Sequence, residues 1–194
     1  MFDIRELLET YRPFDAAEAI SLERLREYLR NNTDIFSRKN FKGHVTGSAL
    51  TLNKAHTHLL LVRHAQLNMW VQPGGHVEAQ DADIFAAASR ELREETGITT
   101  FKLPKLKIFD IDAHEIPDST QKQEPRHCHF DIRVLLEATD DRLTLSDESS
   151  DIQWVTLEKA LTFADASFTR MTKKAQIFLA HRRESSPWAK YFGQ

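Results

Sequence analysis

The chain has 194 residues, 41% of them hydrophobic and 28% charged, a globular composition with enough apolar material for one sizeable core. Its formal net charge of −3 excludes a global attraction to nucleic acid or acidic membranes, so an anionic ligand has to be held locally, by a metal or a few basic groups. The single cysteine, Cys128, excludes an internal disulfide framework and a Cys-rich zinc site.

Residues 1–15 carry acids where a secretory signal would carry a basic and then an apolar region. No apolar run approaches the roughly 18 residues of a membrane span, so the expectation is a cytoplasmic protein with no membrane partner. Residues 15–31 place Leu22, Leu25 and Leu29 on one stripe of an amphipathic helix. That helix can pack on its own domain or on a second chain, as in a homodimer. From Gly43 the period changes. His44 to Leu52 is rich in alternating and β-branched residues, and residues 59–62 form a continuous apolar run suited to a buried strand. Residues 70–72 read as a short strand that Pro73, Gly74 and Gly75 end in a turn.

Residues 83–96 read as a helix, with Asp81 or Asp83 at its start, alanines and Leu92 inside it, and Gly97 as a left-handed stop. Strands follow at 105–114, 127–136 and 151–156, the first two joined by a polar loop with Pro117 and Pro125 at its ends. A last helix over 167–182 carries Met171, Ala175 and Phe178 on one face. This order fits an α+β fold, with a helical extension over 1–42, a domain over 43–160, and a C-terminal helix and tail over 161–194.

Chemistry concentrates in the 83–96 helix. Glu91, Glu94 and Glu95 stand at i, i+3 and i+4, on one side of the helix. Three like charges in one turn disfavour a helix unless a cation sits among them, and hard oxygen donors select Mg²⁺ or Mn²⁺ over softer metals. Arg90 can pair with Glu94 or brace another carboxylate. A solvated acidic face is the bland alternative, but Gly74, Gly75, His76, Val77 and Glu78 lie just upstream. A double glycine ending a strand before an acidic helix lets backbone and metal approach a phosphate closely.

Residues 75–98 resemble the Nudix box: glycine, five residues, glutamate, seven residues, then Arg-Glu-apolar-x-Glu-Glu-x-Gly-apolar. Every fixed position from Arg90 to Ile98 matches. Upstream, Asp81 stands five residues after Gly75 where the glutamate belongs, with eight residues before Arg90; counted back from Arg90, the position holds Ala82. A one-residue insertion explains both counts and leaves open whether Asp81 replaces the glutamate. The resemblance implies a Nudix fold, a mixed sheet sandwiched by helices. It also implies a metal held by Glu91, Glu94 and Glu95 with Arg90 orienting them, and hydrolysis of a small-molecule diphosphate, such as a nucleoside diphosphate derivative, by water attack on phosphorus. In this family the general base often lies outside the box. Here the candidate is Glu148, with Asp147 and Glu78 in reserve.

A second constellation is His127, His129, Asp131 and Arg133, on one face of a strand opposite Cys128, Phe130, Ile132 and Val134. Asp110, Asp112 and His114 form a similar set on the preceding strand. An exposed polar sheet face is the plain alternative. The functional reading has His76, His127 and His129 line the substrate cleft, with Arg133 holding phosphate or the two histidines binding a second metal. His44, His56, His58, His64 and His181 read as structural or surface histidines. Two other functions stay open: a Nudix-fold binding module without catalysis, supported by the altered spacing, and an isomerase of a diphosphate substrate, disfavoured by a core-facing Cys128. Nucleic-acid binding is disfavoured by the acidic balance and the lack of a basic stripe.

Overall fold

The computed structural model describes residues 4–64, 69–104, 108–119, 124–146, 149–163 and 165–183. Two N-terminal helices, α1 (Ile4–Thr10) and α2 (Ala16–Asn31), precede the strands β1 (His44–Leu52), β2 (His58–His64), β3 (Met69–Val71) and β4 (Gly74–His76). Then come α3 (Ile84–Thr96), β5 (Phe101–Lys102), β6 (Asp110–Ile116), β7 (His127–Ala138), β8 (Ser149–Thr156), α4 (Leu157–Ala160) and α5 (Ala166–Arg183).

The caps follow from local chemistry. Asp15 accepts from the Glu18 backbone N–H to start α2, and Asp83, rather than Asp81, accepts from that of Ala86 to start α3. Gly97, at φ 72°, ends α3 in the left-handed conformation that glycine adopts without a Cβ clash. The short α1, β5 and α4 were not read from the sequence. β4 corrects the expectation that Pro73 and the two glycines end pairing. Gly74 and His76 pair antiparallel with Ser48 and Thr46, while Pro73, which has no N–H to give, offers its carbonyl to Ala49.

The strands run β3-β2-β1-β7-β5 in one mixed sheet; β4 joins β1, β6 joins β7 and β8 joins β2. β1 and β7 are parallel, His44 opposite His129 and Leu52 opposite Glu137. Every residue of β1 is buried, which is why that segment carries no Asp, Glu, Lys or Arg.

Period-two alternation sends successive side chains to opposite layers. Val45, Phe130 and Ile132 meet Leu22, Leu25 and Leu29 of α2, and Ala49, Leu60 and Val134 meet Ala88 and Leu92 of α3. On the other face Leu50, Leu52, Leu59 and Leu135 meet Met171, Ala175 and Phe178 of α5. The result is an α+β fold with a mixed sheet between helices. The α2 stripe is covered by its own sheet. Among the described residues no helix is long and apolar enough to cross a membrane.

Candidate active site

The candidate ligands meet where α3 crosses β4. Gly75 faces α3 so closely that a Cβ there would lie 2.5 Å from Glu91 Oε1; the missing side chain is the space the carboxylate occupies. The Gly74 backbone N–H donates to Glu95 Oε2 at 2.9 Å, tying a second helix carboxylate to the strand. The Glu91 side chain is 12% exposed and that of Glu94 59%, so Glu91 lines the seam while Glu94 reaches solvent. Leu92, on the opposite side of the helix, is fully buried.

Arg90 organises this group. Its Nη1 donates to Glu91 Oε1 at 2.9 Å and to Glu94 Oε2 at 2.8 Å, and its Nη2 to the His76 carbonyl at 2.8 Å. Nε and Nη2 donate to the Asp81 carboxylate at 3.2 and 3.1 Å. Burial works against the guanidinium charge, but hydrogen bonds to Asp81 and Glu94 and the charge of Glu91 outweigh it and hold Arg90 above the usual arginine range. Asp81 also accepts from the Glu78 backbone N–H at 2.9 Å. One methylene shorter than glutamate, with one more residue of loop before the helix, Asp81 is the upstream carboxylate that clamps Arg90. Glu78 is half exposed, 4.0 Å from Arg90 Nη1. Glu148 and Asp147 lie outside the described residues.

The second constellation assembles on the α5 face of the sheet. Asp110, Asp112 and His114 sit opposite Arg133, Asp131 and His129 in the β6–β7 ladder. From β1, Thr46 and Ser48 donate to Asp131 Oδ1 at 3.1 and 2.7 Å, and Gln72 Nε2 donates to Oδ2 at 3.3 Å. Arg133, expected to hold phosphate, is buried among partners of its own. Nε donates to Asp131 at 2.9 Å, Nη1 to Asp110 at 3.1 Å and Nη2 to Ser167 Oγ at 3.1 Å. With its fork spent on the protein, Arg133 braces the strands.

Asp110 lies deeper still. Arg170 donates to both of its oxygens, and Lys174 Nζ donates to Asp110 Oδ2 at 3.2 Å and to Glu18 Oε1 at 2.7 Å. Burial opposes ionisation of Asp110, yet Lys174, Arg170 and Arg133 together hold its carboxyl below the usual carboxylate range. Sequence reasoning missed Glu18, Arg170 and Lys174. One signal was available for Glu18, which lies four residues before Leu22 on the apolar stripe of α2 and is fully buried.

At the far end of the same face stand the histidines. His76 Nε2 is 2.9 Å from His44 Nε2, and His127 Nε2 is 3.2 Å from His129 Nε2. His44, set aside in the sequence as structural, is buried within this group. Burial, followed by its histidine neighbours, pushes His129 well below the usual imidazole range and, with His127 close by, pushes His44 down to about 4.

A family model, the NUDIX domain, matches residues 43–176. Among curated proteins the chain is 34% identical over 89 residues to a probable DHNTP pyrophosphohydrolase of Lactococcus lactis, a match covering 46% of this chain and 52% of that one. It is 45% identical over 62 residues to an m7GpppN-mRNA hydrolase of Danio rerio, covering 29% of this chain and 20% of the other. The chain thus spans about half the length, or less, of the curated relatives it matches. Among solved structures it superimposes on an Ap4A hydrolase of C. elegans with a TM-score of 0.54 and 23% identity, over 70% of this chain and 97% of that one.

Proposed function

Because the chain belongs to the NUDIX domain family, we propose that it is a divalent-metal-dependent pyrophosphohydrolase, cleaving a diphosphate linkage in a nucleoside diphosphate derivative or related small molecule. The observation that carries this reading is the seam between α3 and β4, where Gly75 leaves room for the Glu91 carboxylate and Gly74 anchors that of Glu95. The donor set fits the implied metal: carboxylate oxygens crowded on one helical turn suit a hard cation. Glu91, Glu94 and Glu95 would hold Mg²⁺ or Mn²⁺, which would neutralise phosphate charge and make an attacking water more acidic.

The chain's own residues do the rest. Arg90, locked by Asp81, fixes the rotamers of Glu91 and Glu94 and the position of the His76 carbonyl. Gly75 leaves the space that the Glu91 carboxylate fills, and Gly74 the space that Ser48 fills, so the two glycines let the helix and β1 close on β4. Glu148, the candidate base outside the box, would take the proton of the attacking water, with Glu94, the most exposed of the three, as the other carboxylate for that role. The names of the curated relatives support a diphosphate-containing substrate, and the acidic balance of the chain favours a small one over nucleic acid. The single cysteine fits a reducing, cytoplasmic setting. An isomerase working through Cys128 is disfavoured, since burial pushes that thiol up to about 11.

The test is a product screen of the full chain with Mg²⁺ or Mn²⁺ on a panel of diphosphate-linked compounds, beside a Glu94→Gln, Glu95→Gln variant. We expect metal-dependent release of phosphate or monophosphate products, reduced at least ~100-fold in the variant. Equal turnover in both proteins would refute the assignment. Metal binding without turnover on any compound would favour a binding module.

A further inference from the structure

From the geometry of the histidine group we infer that His44, His127 and His129 form a binding site for a borderline transition-metal dication of the zinc type, with His76 at its rim. The site is separate from the carboxylates of α3. One nitrogen from each of the three residues can be chosen so that all lie within 4.8 Å of one another, close enough for a single ion about 2.0–2.1 Å from each nitrogen after small rotamer adjustments. His76 brings a fourth nitrogen to 2.9 Å from that of His44, so the fourth tetrahedral position has a candidate ligand.

Two observations support a ligand set over a stack of rings. First, the histidines come from different strands, β1, β4 and β7, brought together by register: His44 opposite His129, and His76 opposite Thr46 two residues along β1. Second, the tautomer is set from outside. The Pro125 carbonyl lies 2.8 Å from His127 Nδ1, so a neutral His127 donates there and turns its Nε2 lone pair inward, an outer-shell arrangement common behind metal-bound histidines.

The charged groups around the cluster are Asp112, His114 and Asp131 from the neighbouring strand positions and Arg38 and Glu124 from the loops. His114, beside Asp112 at 2.9 Å, is held above the usual imidazole range against its burial and stands outside the ligand set. Nitrogen donors without a carboxylate among them select zinc-type ions over Mg²⁺, so the two sites would discriminate between cations. This inference rests on the histidines alone and stands whether or not the chain is a hydrolase.

The test uses Co²⁺ as a coloured probe on the metal-stripped full chain. The expected result is one equivalent of Co²⁺ bound with the strong visible absorption of a low-coordinate nitrogen site, displaced by one equivalent of Zn²⁺ and unaffected by about a hundredfold excess of Mg²⁺. A Glu91→Gln, Glu94→Gln, Glu95→Gln variant should keep the signal. A His127→Ala, His129→Ala variant should lose it, with Zn²⁺ affinity down at least ~100-fold. Should the histidine variant fail to fold, ring-nitrogen NMR of the unaltered chain decides, with Zn²⁺ shifting the resonances of His44, His127 and His129. An absent visible band, a band lost with the glutamates and kept without the histidines, or unshifted imidazole resonances would overturn the site.

Discussion

At the scale of single residues, Asp81 supplies the carboxylate that holds Arg90 from the loop before α3. This nearly buried carboxylate takes two nitrogens of Arg90 and the Glu78 N–H. Removing it leaves a mostly buried guanidinium short of a partner, which costs about 3–5 kcal/mol where no other partner remains. Arg90 keeps Glu91, Glu94 and the His76 carbonyl, so about 2 kcal/mol is expected for Asp81→Ala by urea denaturation. Turnover should fall more than stability predicts, because Arg90 without its Asp81 clamp orients Glu91 and Glu94 less rigidly. Asp81→Glu should recover a good part of both. An Asp81→Ala protein as stable and active as the parent would remove Asp81 from the site.

Among the elements, α2 is the instructive one. Its stripe of Leu22, Leu25 and Leu29 was compatible with a partner chain as well as with its own domain, and the structure puts the stripe against Val45, Phe130 and Ile132 of the sheet. Leu25 is fully buried. Leu25→Ala should destabilise the chain by about 2–5 kcal/mol through lost burial and the cavity left behind, and the helical and near-UV signals should unfold together. A variant melting at the parental temperature would mean that α2 is a detachable arm. α3 shows the opposite division of labour, with Leu92 holding the helix to the sheet while Glu91 and Glu95 meet β4.

Over the whole molecule, a buried set of charges ties the layers together: Glu18 of α2, Asp110 of β6, Asp131 and Arg133 of β7, and Arg170 and Lys174 of α5. Because Asp110 is held below its unfolded value, its contribution is fully present above the unfolded pKa of about 3.9 and is lost as the pH falls through the depressed folded value. Urea midpoints should therefore be insensitive to this group from about pH 5 to 8 and drop below about pH 4. Asp110→Asn, which leaves Lys174 with Glu18 alone and Arg170 with the more distant Asp112, should cost about 3 kcal/mol at neutral pH and flatten that acid limb. A variant with the parental midpoint and the parental acid profile would show that the network is bystander charge.

The sequence by itself determined the parts whose signals are local. The apolar faces of α2, α3 and α5 are written in i, i+3 and i+4 spacings, the carboxylates of α3 share one side for the same reason, and the ends of α3 are marked by an aspartate and Gly97. The polar face of β7 is visible at period two. Other features depend on register, which no local period encodes. Tertiary structure alone decided that Gly74 and Gly75 form a strand on β1, because the partner of that pairing lies some thirty residues away. It decided too that Arg133 is surrounded by Asp110 and Asp131, and that Lys174 reaches across the fold to Glu18. The same holds for His44, which looked like one structural histidine among several; the parallel pairing of β1 with β7 sets it opposite His129. The sequence could show which residue types each strand offers to a face, but only the fold decides which strands stand side by side and so which of those residues meet.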